Sequence, residues 1–436
     1  MTGVFDALQA EIATIQTARD IGRVAESTRG TFLVTGLSRA ALGERVLAET
    51  GAGPLGGEIV HLSGRGAVVL PEDDPEGLRI GSRVERLGPA TIAPDRSWLG
   101  RIVDPFGKPL DGRPLLPGTQ RRAMTGTPPP AAGRRALGER LSTGIAVFDT
   151  LLPLVRGQRI GLFAGSGVGK SSLLAKFARG VAADIAVIAL VGERGRELRD
   201  FTERVLGSEG MARSVVMTAT SDQSPLMRRR CALSAMAMAE YFRDQGLHVL
   251  LLVDSVTRFA EAHREVALAS GEQASLRGYP PSTSHAIMGL AERAGPGAAG
   301  QGDITAVFSV LVAGSDMEEP VADILRGTLD GHVVLERKIA ERGRYPAVDL
   351  LRSVSRALPG AASEAENSQI AEARRVLGAY DRAEMMIQAG LYAPGSDALI
   401  DRAIRLYPML DGYLAEDAPA GGPPASFARL RACLGA

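Results

Sequence analysis

Residues Ala164 to Ser171 read Ala-Gly-Ser-Gly-Val-Gly-Lys-Ser and follow directly on the apolar run Arg159-Ile160-Gly161-Leu162-Phe163. The residues after Ser171 have helical character. Strand, glycine-rich turn and helix in that order make a phosphate-binding loop. Glycine reaches positive φ without steric cost, so the backbone can wrap close to an anion. Successive N–H groups then point inward, and the helix N-terminus adds about half a positive charge. On this pattern Gly165, Ser166, Gly167, Val168 and Gly169 form the cradle, with Ser172 just inside the helix. Lys170 reaches the β- and γ-phosphates, and the Ser171 hydroxyl ligates Mg2+. The first motif position holds Ala164 where the pattern has glycine. The chain is expected to bind a nucleoside triphosphate on an α/β core.

Composition narrows what surrounds that core. A chain of 436 residues has room for about three domains, and a hydrophobic fraction of 45% can fill them. Lys+Arg and Asp+Glu both number 50, so the formal charge is zero, which speaks against a general nucleic-acid binder. Cys231 and Cys433 are the only cysteines and lie far apart, as in a reducing, cytosolic protein without a disulfide framework. The five histidines show no metal-ligand spacing. The N-terminus, with Asp6 and Glu11, lacks the basic and apolar regions of a signal peptide. No run of about 18 apolar residues occurs, so membrane association is expected only through partners.

Periodicity divides the chain into an arm over 1–20, a barrel over 21–90, a nucleotide-binding domain over 91–356 and a helical domain over 357–436. In the arm, Phe5, Leu8, Ile12 and Ile15 recur at helical spacing, which suits either a helix packed on its own domain or a docking arm. Short apolar runs punctuated by glycine, such as Thr31–Val34, Glu58–Leu62 and Gly66–Leu70, predict a small β-barrel. Pro and Gly crowd the stretch from Asp104 to Gly133, which reads as a wrapping connection. Strands are expected over 158–164, 185–192, 214–219, 248–254, 303–312 and 331–336, alternating with helices as in a largely parallel sheet. Helices are expected over 368–389 and 396–414, around the Gly390–Gly395 turn.

Two further elements carry chemistry. His248-Val249-Leu250-Leu251-Leu252-Val253-Asp254 is an apolar strand ending in a carboxylate. Such an aspartate stands at the ligand-binding edge of an α/β sheet and can hold Mg2+ through a water; alternatively it caps the next helix. Val191-Gly192-Glu193-Arg194-Gly195-Arg196-Glu197 closes another strand. Hydrolysis needs a carboxylate to polarise water and cations to offset charge on the phosphoryl oxygens. Glu193 and Arg194 offer both, although most such runs are solvated loop charges.

In this order the three elements resemble the catalytic-type subunits of the rotary ATPase superfamily, over most of the chain. The segments Thr143–Ser171, Gly302–Val307, Leu329–Leu335 and Arg344–Asp349 share the likeness. Arg277-Gly278-Tyr279-Pro280-Pro281 and Leu351–Arg356 resemble the flagellar and injectisome export ATPases more than the ATP-synthase subunits, and Ala322–Gly327 together with Leu351–Arg356 is most similar to the flagellar protein export ATPases. The resemblance implies a RecA-like P-loop core between an N-terminal β-barrel and a C-terminal helical domain, using ATP and Mg2+. It makes Glu193 the water-activating base, Arg194 and Arg258 phosphate contacts, Tyr345 the adenine-stacking ring and Arg356 a finger into the neighbouring subunit. On the residues alone, Tyr345 reads as a core aromatic and Arg356 as a surface ion pair.

The same resemblance implies a cytoplasmic homohexamer at the inner membrane's cytoplasmic face. Its partners would be an export regulator, a stalk protein, the export gate and chaperone–substrate complexes. The injectisome ATPase is the near alternative, and a subunit of an ion-translocating rotary ATPase a more distant one. A non-catalytic ring subunit would not need Glu193. A Rho-type RNA translocase would need stacking aromatics in its barrel, and Phe32 is the only aromatic in 21–90. The stretch Ser282–Leu290 departs from the export-ATPase pattern and is expected to form a loop facing the ring's pore.

Overall fold

The computed structural model describes residues 5–6, 8–9, 12, 18–28, 30–312 and 317–435. Within the arm, Phe5, Leu8 and Ile12 are exposed rather than packed on the adjoining barrel; Ile15 lies outside the described residues.

Six strands, β1 (Ile21–Ser27), β2 (Phe32–Thr35), β3 (Glu44–Thr50), β4 (Gly53–Ser63), β5 (Gly66–Pro71) and β6 (Arg83–Pro89), close into a barrel in the order β1-β2-β5-β4-β3-β6. Every pairing is antiparallel. Alternate residues face inward, so β5 buries Ala67, Val69 and Pro71 while its other positions stay half-exposed. Val34, Val46, Ile59 and Val84 fill the interior beside Phe32, and closure leaves no unpaired edge.

The connection after the barrel holds a two-residue ribbon of β7 (Thr91–Ile92) with β9 (Arg122–Ala123) and little other regular structure before 140. The central sheet is built from β8 (Arg101–Val103), β10 (Arg159–Ala164), β11 (Ile185–Glu193), β12 (Ser214–Thr220), β13 (His248–Asp254), β15 (Asp303–Leu311), β16 (Gly331–Leu335) and β17 (Val348–Ser355). Their order is β17-β16-β10-β15-β13-β11-β12-β8, with the short β14 (Gly295–Pro296) paired on β15. All run parallel except β14 and the edge strand β17. The inner strands read as unbroken apolar runs because helices cover both faces. Successive side chains divide between two cores: Leu162 packs with Phe148, Phe177 and Ile188, whereas its neighbour Phe163 joins Phe242, Phe259 and Phe308.

Residues 282–290 are not a loop. They belong to the helix Ser282–Arg293, which turns Thr283, Ile287 and Leu290 inward. That i, i+4, i+7 spacing is the signature of an amphipathic helix, and it was present in the sequence. The C-terminal region carries three helices, Glu364–Gln388, Ala398–Tyr413 and Pro423–Cys433. Ser363 and Glu366 form a reciprocal capping box on the first of them. The third was not anticipated; its two prolines sit at its N-terminus, where no N–H is missed.

The barrel is tied to the core by buried charge. Arg229 and Arg230, on the helix Pro225–Asp244, both pair with Glu58 of β4, and Arg230 also pairs with Glu72. Burial alone would push Glu58's carboxyl up, but the two guanidiniums more than offset it and hold it below its ordinary value.

Candidate nucleotide-binding and hydrolysis site

β10 delivers the chain to the sheet's carboxyl edge, where Gly165–Gly169 turn into the helix Lys170–Gly180. Gly167 (φ 79°) and Gly169 (φ 84°) occupy the left-handed region that lets amides converge on one point. Gly169 has a second constraint, since a Cβ there would stand 2.9 Å from Tyr345 Cδ1. Val168 contributes backbone only, because its side chain is buried in the core. Ser166, Gly167, Ser171 and Ser172 are exposed, so the loop presents itself to an incoming anion.

Opposite the loop, β13 ends in Asp254, which is 3% exposed. It does not cap the following helix. Ser255 does so, accepting from the Arg258 amide. Asp254 instead pairs with the Lys170 ammonium and accepts a 2.7 Å hydrogen bond from Ser309 Oγ on β15. Ser171, Glu193 and Asp254 line one cleft of 610 Å³. Burial, the hydrogen bond that the protonated Glu193 donates to Glu197 and the charge of Asp254 push the Glu193 carboxyl up to about 7, against the opposing pull of Lys170. A carboxylate poised there is suited to accept a proton from water near neutral pH.

The remaining predicted residues divide into near and far. Tyr345 is 50% exposed with its ring edge on the loop, so it is not a core aromatic. Arg258 packs its stem 3.5 Å from where a Gly192 side chain would begin, while its guanidinium pairs with Glu261 at 3.1 Å. Arg194 is exposed and pairs with Glu197 at 3.2 Å. Arg356 is not brought to the site. Its amide bonds to Asp330, whose own amide bonds to Arg159 at the start of β10. Five strand residues separate that edge from the loop, about 16 Å at roughly 3.3 Å per residue, beyond the reach of an arginine side chain.

Three site residues escaped the sequence reading. Glu197 stood inside the motif without a role. Ser309 hid within an apolar strand, where only its hydroxyl set it apart. Arg337, which donates to the Ser166 carbonyl at 3.3 Å, is 171 residues away from it in sequence and left no local signal. The cradle with two left-handed glycines, the Ser171 hydroxyl and the Asp254 carboxylate together suit a magnesium nucleotide. Such a group would supply the phosphoryl electrophile and the positive charge that polarises it.

The family model for the ATP synthase alpha/beta nucleotide-binding domain matches residues 144–355, and that for the type III secretion ATPase EscN C-terminal domain matches 362–422. A flagellum-specific ATP synthase of Caulobacter vibrioides is 46% identical over 391 residues, 88% of each chain. The chain belongs to the flagellar and type III secretion ATPase family. A type 3 secretion system ATPase of Xanthomonas euvesicatoria is 40% identical, over 94% of this chain and 92% of that protein. The assembled ATPase EscN of enteropathogenic E. coli superposes with a TM-score of 0.87 at 33% identity, covering 95% of this chain and all of that one. EscN has also been solved with its central stalk EscO, with a TM-score of 0.86. Members of this ATPase family hydrolyse ATP, and the cleft described above stands in the domain that the first model spans. No helix among the described residues is long and apolar enough to cross a membrane.

Proposed function

We propose that this chain is the ATPase of the flagellar protein export apparatus, hydrolysing MgATP at the interfaces of a homohexameric ring. The observation that carries the reading is the convergence of Lys170, Ser171, Glu193 and Asp254 on one cleft, in a chain nearly half identical to a flagellum-specific relative. The loop amides and Lys170 hold the β- and γ-phosphates. Ser171 and Asp254 would hold Mg2+, which would supply positive charge to the phosphoryl oxygens. Glu193 takes a proton from the attacking water, Tyr345 stacks on the adenine, and Arg194 and Arg258 turn from their present partners toward the phosphates. Arg356, stranded at the far edge of its own sheet, completes the site of the adjacent subunit.

The ring works in the cytoplasm, at the inner membrane's cytoplasmic face. A stalk protein occupies its pore, as the EscN complex supports. An export regulator, the export gate and chaperone–substrate complexes are its other partners. The injectisome reading stands second, favoured by the EscN-type C-terminal region. Deleting the gene and assaying secreted proteins separates the two. Loss of flagellin and hook proteins from the medium, restored by the wild-type gene and not by Glu193→Gln, is the expected result. Loss of injected effectors with flagella intact would favour the second reading.

A further inference from the structure

Asp254 is held from two sides, and the two holds differ in kind. One is Lys170, the first residue of the helix after the loop, whose ammonium is needed elsewhere once a nucleotide is bound. Ser309 comes from the middle of the sheet. It lies on β15, flanked by β10 and β13, in register with Leu162, and is 0% exposed. Its Oγ donates to Asp254 Oδ1 at 2.7 Å. The ammonium bonds the same oxygen, so both hydrogen bonds converge on Oδ1.

We propose that Ser309 is a positioning residue for magnesium: its hydroxyl fixes the Asp254 carboxylate so that Oδ2 faces the cleft when Lys170 moves to the phosphates. This rests on the reading of Asp254 as the outer carboxylate of the metal site. The physical argument is one of order. A carboxylate with one oxygen tied to a rigid strand keeps a single orientation, and its second oxygen is preorganised to accept from a metal-bound water. Without the hydroxyl, Asp254 loses its fixed donor at the moment Lys170 departs, and must rotate to find another. Groups that orient metal-site carboxylates in this way are worth about 10- to 100-fold in metal affinity. Ser309 touches neither nucleotide nor metal, so its effect should fall on the metal-dependent part of binding alone.

The test is nucleotide affinity measured by titration calorimetry with and without Mg2+, on the full chain. Ser309→Ala should weaken ATP binding in Mg2+ by about tenfold or more while leaving affinity in EDTA unchanged. The EDTA value also reports that the variant is folded. Ser309→Thr, which keeps the hydroxyl, should restore the magnesium-dependent gain. An unchanged gain in Ser309→Ala, or equal losses with and without Mg2+, would overturn the proposal, as would a Thr variant no better than Ala. Asp254→Asn provides the parent comparison. If it loses the magnesium-dependent gain and Ser309→Ala does not, the positioning role fails alone. If neither loses it, the reading of Asp254 fails as well.

Discussion

At the scale of single residues, the decisive contrast is between Glu193 and the aspartate across the cleft from it. Glu193 is half-buried, donates to Glu197 in its protonated form and faces Asp254, and its carboxyl is pushed up to about 7. A base must be unprotonated to work, so kcat/KM for ATP hydrolysis should fall as pH drops through about 7 in the free enzyme. Glu197→Gln removes a group that raises this value, so the acid limb should move to lower pH. A pH–rate profile for both proteins checks the sign, and an unmoved limb would separate Glu197 from the base. Glu193→Gln should keep nucleotide binding and lose about 10²–10⁴ in turnover. Lys170→Ala should remove turnover by taking away the charge beside the β/γ-phosphates, which steady-state hydrolysis would show directly. The loop, Glu193 and Asp254 could be singled out from sequence because each lies in a short local pattern, although a helix cap and a solvated charge run stood beside the last two readings. Ser309 and Arg337 were illegible because their meaning depends on which strands become neighbours.

At the scale of elements, the same division holds. The six main strands of the core were readable to within a residue or two because apolar runs bounded by turn residues are a local signal. Two edges were not. β8 and β17 are short or amphipathic, and they join the sheet only through long-range pairing with β12 and β16. Helix Ser282–Arg293 shows the opposite failure, a local signal overlooked because the segment departed from the family pattern. The joint between barrel and core yields a prediction of its own. Arg230 is 1% exposed and pairs with both Glu58 and Glu72. Removing one partner of a buried pair strands the other, at a cost of about 3–5 kcal/mol. Arg230→Ala should therefore lower stability by that order in denaturant titration, and adding Glu58→Gln should recover part of it. Full stability in Arg230→Ala would mean that the pairs of Arg230 contribute nothing to holding the barrel on the core.

At the scale of the whole molecule, the position of Arg356 bears on the proposal that sites are completed across subunit interfaces. Its amide is fixed to Asp330 and its guanidinium donates to the Arg326 carbonyl at 3.2 Å, at the sheet edge opposite the phosphate-binding loop. A chain acting alone thus lacks this cation at its own site, and specific activity should rise with protein concentration as rings form. Where arginine fingers act, they supply roughly 10³–10⁵ in rate by stabilising charge on the transferring phosphoryl group. Arg356→Ala should then bind ATP with ordinary affinity and hydrolyse it slower by that order. Lys170→Ala fails for a different reason, and its Arg356 is intact. Mixing the two inactive variants creates interfaces where an intact Lys170 site faces an intact Arg356, so part of the activity should return, provided that mixed rings are verified by labelled-subunit exchange. The size of the return measures how cooperatively the ring fires, because a strictly concerted ring tolerates no dead interface. Near-normal hydrolysis by Arg356→Ala alone would end the assignment, whatever the mixture does, since no cooperativity argument can make a required finger dispensable.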